Sequence, residues 1–255
     1  MTLLRSACYH LLFIAWTLAL AVLYLPLLLG PRLAVQRAAG LWVRGALALQ
    51  RAVLGLAFEL RGAENLPRGA AIVAAKHQSA WETLVFHALL PDPVFVLKKE
   101  LLWLPFIGWY LTKSGQIAID RGAGMKALSG MARRARAALA HGRQVIVFPE
   151  GHRQPPGVAG DYLPGIAMLY ADPGTTEEVP VIPVALNSGL FWRRNAFLRR
   201  AGTIVMEVLP PMPPGLERRE FLDELRRRIE GATRALEAEA LRRFPELPPL
   251  AAPAG

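Results

Sequence analysis

The sequence predicts an α/β fold: a mixed, mostly parallel sheet flanked by helices, preceded by an N-terminal membrane-associated helix pair. Three observations carry this expectation. After residue 58, short apolar runs of strand length alternate with helix-length segments, the pattern of strands buried on both faces. No Lys, Arg, Asp or Glu occurs from Ser6 to Gly30, a stretch able to cross an apolar core of about 30 Å as a helix. Arg37, Arg44 and Arg51 recur every seven residues on an otherwise apolar segment, as on a helix lying in a headgroup layer with its cations turned to phosphate.

In the first segment, Tyr9, Trp16 and Tyr24 favour membrane interfaces, and Pro26 kinks or ends the helix. A cleaved leader is disfavoured. The apolar run exceeds the roughly 7–15 residues of a signal core, and no convincing small-x-small cleavage site precedes Pro31. The second helical stretch runs from about Leu33 to Phe58. A kinked pair that enters one leaflet and returns fits as well as a full span. Strands are then expected at 58–61, 69–75, 94–97, 144–148, 179–186 (broken by Pro180 and Pro183) and 203–209. Helices are expected from Ser79 to about Leu90, closed by Pro91 and Pro93, and from Leu128 to His141, ended by Gly142. Pro210, Pro211, Pro213 and Pro214 make a stiff connector to an Arg/Glu-rich helix at 217–243, read as an outer helix with a solvated face. The expected organisation is membrane-anchoring helices at 1–58, one α/β domain at 59–245 and a disordered tail at 246–255.

Composition narrows the function classes. The chain has 255 residues, 53% of them hydrophobic, and a net charge of +10, which suits an anionic partner. Nucleic acid is disfavoured, because no zinc-ligand spacing and no recognisable binding motif is present. A basic chain with an apolar anchor faces membrane phospholipid more naturally. Cys8 is the only cysteine, which excludes a disulfide framework and a cysteine metal cluster, and no metal site is expected. Neither GxGxxG nor GxxxxGK[ST] occurs.

The chemistry concentrates where apolar strands end. Lys76-His77-Gln78-Ser79-Ala80-Trp81-Glu82 follows one such strand and opens a helix, a position at the mouth of an α/β sheet. Across that junction Glu82 can reach back to the ring of His77. A carboxylate on one imidazole nitrogen fixes the tautomer and frees the other nitrogen to take a proton. Ser79-x-x-Glu82 is also a capping box, in which the carboxylate serves the helix end; both readings stay open. Phe148-Pro149-Glu150-Gly151-His152-Arg153 follows a second strand, and Arg153 has the planar fork that suits a phosphate. Arg121 and Lys98 follow two further apolar runs. Together these cations would make a positive pocket beside the His–Glu pair.

The ordered set resembles the glycerolipid acyltransferase family, the group containing the 1-acylglycerol-3-phosphate acyltransferases, in its bacterial membrane-bound form. The family's first motif, His, four residues, then Asp, is matched by His77 and Glu82, and its glycine-to-arginine block by Gly115 to Arg121. Its Phe-Pro-Glu-Gly-Thr-Arg motif is matched from Phe148 to Arg153, with His152 for Thr, and its Pro-containing strand by Val179 to Pro183. Lys98-Lys99-Glu100-Leu101 matches its Lys-x-Glu-Leu segment. The resemblance implies that His77 deprotonates the free hydroxyl of a lysophospholipid, lysophosphatidate above all, and that the alkoxide attacks an acyl thioester. Glu82 would orient the imidazole; Lys98, Arg121 and Arg153 would hold the phosphate, with Glu150 and Gly151 shaping that pocket. No cofactor is implied beyond acyl-CoA or acyl-ACP (acyl carrier protein) as co-substrate. The implied location is the inner membrane, with the catalytic domain facing the cytoplasm. Another lysolipid acceptor, such as a lyso-ornithine lipid, and a non-catalytic lipid-binding role are the alternatives. Glu82 adds a methylene to the family's Asp, which changes the reach of the dyad by about 1.5 Å.

Overall fold

In the computed structural model, which describes residues 1–120, 124–171 and 179–250, seven strands form a single sheet in the order β1-β7-β6-β2-β5-β3-β4. The strands are β1 (Leu56–Arg61), β2 (Ala71–Ala75), β3 (Pro93–Lys98), β4 (Ile117–Ile119), β5 (Gln144–Val147), β6 (Val181–Leu186) and β7 (Gly202–Val208). All neighbours are parallel except β6 and β7, so the expected mixed, mostly parallel sheet is present. Every residue of β2, β5 and β6 is buried, which explains why these strands read as apolar runs, with Gln144 the one polar residue among them.

Alternate side chains feed two cores. Val73, Ile146 and Ile182 pack on one face with α2 (Arg32–Leu54) and α3 (Trp81–Leu89); Ile72, Val145 and Val181 pack on the other with α5 (Gly124–Ala140), α6 (Pro164–Tyr170) and α8 (Arg218–Arg243). Each large side chain fully buried there, such as Phe86 or Phe221, contributes about 1.5–3 kcal/mol by leaving water. Pro183 does not break its strand. Its missing N–H falls on the β7 side, one residue before the β6–β7 ladder begins at Val184, and its carbonyl accepts the Leu209 N–H at 2.9 Å.

The N-terminal helices are laid onto this body. Gln36 of α2 donates to the Pro93 carbonyl at 2.7 Å, and Arg32 grips Asp92 at 2.6 Å, so α2 is docked on the α/β body while Arg37, Arg44 and Arg51 stay exposed. The long apolar helix α1 (Thr2–Leu23) is held at both ends. Ser6 Oγ accepts the Arg199 N–H at 2.9 Å, and the Tyr110 hydroxyl of α4 (Ile107–Lys113) donates to the Ala21 carbonyl at 2.6 Å. Leu247 is buried and Leu250 packs against the core. The chain therefore stays on the domain through residue 250, where a free tail was expected from 246; apolar burial outweighs the Pro-rich composition.

Candidate active site

Because β2, β3, β4, β5 and β6 run in one direction, their C-terminal ends share one edge of the sheet. His77 leaves β2 there, Phe148 leaves β5, Lys98 ends β3 and Ser188 opens the short helix α7 (Ser188–Phe191) after β6. The His77 ring stacks on Phe148 with centroids 4.0 Å apart and 17° between planes, which holds the imidazole flat against an apolar wall. Its Nδ1 lies 3.0 Å from Glu82 Oε1. With Nδ1 donating to the carboxylate, Nε2 carries the free lone pair.

The Glu82 carboxylate is fully buried and saturated with donors. Oε1 also accepts the backbone N–H groups of Gln78 and Ser79, each at 2.7 Å, and Oε2 accepts the hydroxyls of Ser79 at 2.7 Å and Ser188 at 2.9 Å. The carboxylate therefore orients His77 and also ties the turn leading into α3 through Gln78 and Ser79, while the helix's own N-cap, Ala80, has no side-chain cap. Burial alone would push the Glu82 carboxyl up. The hydrogen bond and charge of His77, with the N–H and hydroxyl of Ser79, outweigh burial and hold it below the ordinary carboxylate value, so it stays ionised beside the imidazole.

The second motif is split by the fold. Gln154 donates its backbone N–H to the His77 carbonyl at 2.8 Å, so the loop carrying Arg153 runs directly beside His77. Arg153 is half-buried, and Arg194 donates to its carbonyl at 3.2 Å. Gly151 has φ +68°, a left-handed turn that glycine adopts without a steric cost. Glu150 departs from its expected place in the phosphate pocket. Its side chain is inaccessible, with Oε1 accepting Lys76 Nζ at 2.7 Å and the Gly160 N–H at 3.0 Å, and Oε2 accepting the His77 N–H at 3.2 Å. With three inward donors and no accessible surface, the carboxylate does not face the pocket, and beside a phosphate it would repel. Burial pushes the Glu150 carboxyl up, against the charge and hydrogen bond of Lys76. Lys98 is exposed at the end of β3, next to a Lys99–Asp120 ion pair. Arg121 lies outside the described residues.

Sequence reasoning missed the supporting residues. Phe148, Lys76, Gln78 and Ser188 touch the dyad or its loop, and Glu230 and Glu237 reach it from α8. One signal was available. Both glutamates sit in the stripe Phe221, Leu225, Ile229, Thr233, Leu236, Ala240 that α8 turns inward, and acidic residues within an apolar stripe require buried partners.

Comparison with known proteins places these features in a family. A family model described as Acyltransferase matches residues 57–187. A 1-acyl-sn-glycerol-3-phosphate acyltransferase of Pseudomonas aeruginosa is 37% identical over 189 residues, covering 74% of this chain and 72% of that protein. The human 1-acyl-sn-glycerol-3-phosphate acyltransferase alpha is 32% identical over 162 residues, covering 62% of this chain and 56% of that protein. The chain thus spans just over half the length of the human relative. The crystal structure of a 1-acyl-sn-glycerophosphate acyltransferase from Thermotoga maritima superposes with a TM-score of 0.74 over 93% of this chain and 100% of that one, at 21% identity; at that identity the likeness carries the fold.

Proposed function

This chain belongs to the Acyltransferase family, and on that premise we propose that it transfers a fatty acyl group from an acyl thioester to the free hydroxyl of 1-acylglycerol-3-phosphate, giving phosphatidate, with His77 as the general base. The observation that carries this reading is the His77–Glu82 pair at 3.0 Å, seated at the strand edge beside the Arg153 loop. Nε2 of His77 takes the hydroxyl proton, and Glu82 balances the imidazolium as it forms. The alkoxide oxygen bonds to the thioester carbonyl carbon. Collapse of the tetrahedral intermediate breaks the C–S bond, and the imidazolium returns its proton to the leaving thiolate. The donor carrier is coenzyme A or acyl carrier protein. Arg153, with Arg121 and Lys98, grips the acceptor phosphate. General-base assistance supplies about 10²–10⁴-fold, so fixing the acceptor by its phosphate must supply much of the remainder.

The acceptor is drawn from the membrane surface. The 22 residues of α1 would span about 33 Å, yet the same globular domain hydrogen-bonds it at Ser6, His10 and Ala21. A helix tied along its length to a water-facing body lies in one leaflet with its apolar side, Leu4, Leu11, Leu18 and Val22, turned to lipid. Trp103 and Trp109, 77% and 52% exposed, extend this surface around α4. Cytoplasmic thioester donors put the catalytic domain on the cytoplasmic face of the inner membrane.

The test incubates the full-length protein in detergent with lysophosphatidate, and separately with other lysolipids, each with labelled acyl thioester. His77→Ala should abolish transfer and Glu82→Ala reduce it strongly, with lysophosphatidate the preferred acceptor. Full activity in His77→Ala removes the proposed base; preference for a lysolipid without phosphate removes the phosphate clamp.

A further inference from the structure

We propose that α8 is part of the catalytic apparatus, with Glu230 and Glu237 as positioning residues that clamp the chain on either side of His77. The inference rests on the reading of His77 as the base.

The residues flanking His77 point away from it. Lys76 Nζ donates to Glu230 Oε1 at 2.9 Å and Oε2 at 3.0 Å, and Gln78 Nε2 donates to Glu237 Oε1 at 2.7 Å. In chain leaving a strand, alternate side chains face opposite ways. Lys76 and Gln78 therefore turn to α8 while His77 turns to Phe148 and the cleft. Glu230 and Glu237 are two helical turns apart, about 10.5 Å along the axis, so one rigid helix of 26 residues holds both neighbours of the base. Lys76 Nζ also binds Glu150 Oε1, whose other oxygen accepts the His77 N–H. The base is thereby fixed through its own backbone as well as through both neighbours.

The same two carboxylates hold the other motif loop. Glu237 accepts the Gly157 N–H at 3.1 Å and 3.2 Å, Glu230 accepts the Tyr162 hydroxyl at 3.2 Å, and Lys76 donates to the Val158 carbonyl at 2.9 Å. Base and Arg153 loop are thus referenced to one element, which lies wholly outside the 57–187 span matched by the family model.

Stability alone is a poor reason for this cluster. Lys76, Glu150, Glu230 and Glu237 are all buried, and well-packed apolar groups of the same volume stabilise a fold as well as a buried ion pair does. What ions and amides add is directional bonding, and the atoms they fix are those around the imidazole.

The full-length protein in detergent is assayed for kcat and for KM of each substrate, with thermal melting in parallel, as Glu230→Gln, Glu237→Leu, Glu237→Gln and His77→Ala. Glu230→Gln leaves Lys76 paired with Glu150 and should fold. The amide offers the Lys76 ammonium one neutral acceptor in place of two charged oxygens, so this bond weakens without vanishing, and kcat should fall about tenfold with KM for the acyl donor unchanged. Glu237→Leu should lower kcat about ten- to a hundredfold, and Glu237→Gln, which keeps an acceptor oxygen for Gln78, should recover most of it. Should Glu237→Leu fail to fold, Glu230→Gln carries the test. Wild-type kcat in Glu230→Gln overturns the clamp, as does a loss that disappears when each variant is assayed well below its own melting temperature. These outcomes are read with His77→Ala inactive. Activity in His77→Ala sinks the base itself, whatever the α8 variants do.

Discussion

Restoring the family's aspartate at position 82 should damage this enzyme. Five donors converge on the Glu82 carboxylate, three on Oε1 and two on Oε2, all at 2.7–3.0 Å. Removing one methylene withdraws the carboxylate by about 1.5 Å. If the backbone holds, the 3.0 Å contact to His77 Nδ1 opens to about 4.5 Å, beyond hydrogen-bond range. If the backbone follows His77 instead, the buried Ser79 and Ser188 hydroxyls lose their acceptor, at a cost of about 1–3 kcal/mol for each group left unpaired. Misplacement by about 1 Å costs on the order of 10²-fold in rate, so Glu82→Asp should lower kcat about a hundredfold and lower the melting temperature. Glu82→Gln separates charge from reach. Its carbonyl can serve the three N–H donors while its NH₂ meets two hydroxyls free to rotate and accept. It should therefore melt near wild type, yet lose about 1.5–3 kcal/mol of charge-assisted bonding to the imidazolium, about ten- to a hundredfold in kcat. Steady-state acyl transfer and thermal melting of the three proteins decide it. Glu82→Asp at the wild-type rate would refute the claim that reach, set by Ser188 and the start of α3, fixes the dyad.

Arg153→Ala should raise KM for lysophosphatidate about ten- to a hundredfold, the worth of a hydrogen bond to a charged group, and leave KM for the acyl donor little changed; the reverse ranking would assign this cation to the donor. Trp103→Ala with Trp109→Ala should weaken co-sedimentation with anionic phospholipid vesicles without lowering the melting temperature in detergent, because both rings are exposed; unchanged binding would take α4 off the membrane surface. Burial pushes the Glu237 carboxyl up, opposed by its bonds from Gln78 and Gly157; a raised folded value means stability present at low pH and lost as pH rises through it. The melting temperature of Glu237→Gln relative to wild type should therefore climb as pH rises from the ordinary carboxylate value of about 4.3 through the raised folded value, and a flat difference would contradict the shift. Glu82 is held low, so its contribution is present above the ordinary carboxylate value of about 4.3 and lost as pH falls through the folded value. Glu82→Gln should flatten the acid side of the stability curve, read by denaturant titration at a series of pH values.

The linear sequence determined the fold class and the proposed His77–Glu82 pair, because the signals for both are local. Burial on two faces writes itself as unbroken apolar runs, as at 71–75 and 145–147, and the ends of those runs mark the sheet edge where His77 and Phe148 emerge. Glu82 lies within reach of His77 through five residues of chain, so its partner could be named, although not that one carboxylate would serve both the turn into α3 and the imidazole. Short helices such as α4 and α7 left no readable period, and an apolar helix read as a candidate span turned out to be tied to the domain at both ends.

Only the tertiary structure decided what surrounds His77. Glu150 sits inside the Phe148–Arg153 motif, yet it faces inward to Lys76, a contact 74 residues away in the chain. Glu230 and Glu237 lie more than 150 residues beyond His77, in a helix whose charge pattern reads as solvated. A side chain's type and spacing report which secondary structure it joins and which face it takes. Whether a charge on that face meets water or another charge depends on which distant segment packs there, and that is settled only when long-range burial brings strand end, loop and α8 together.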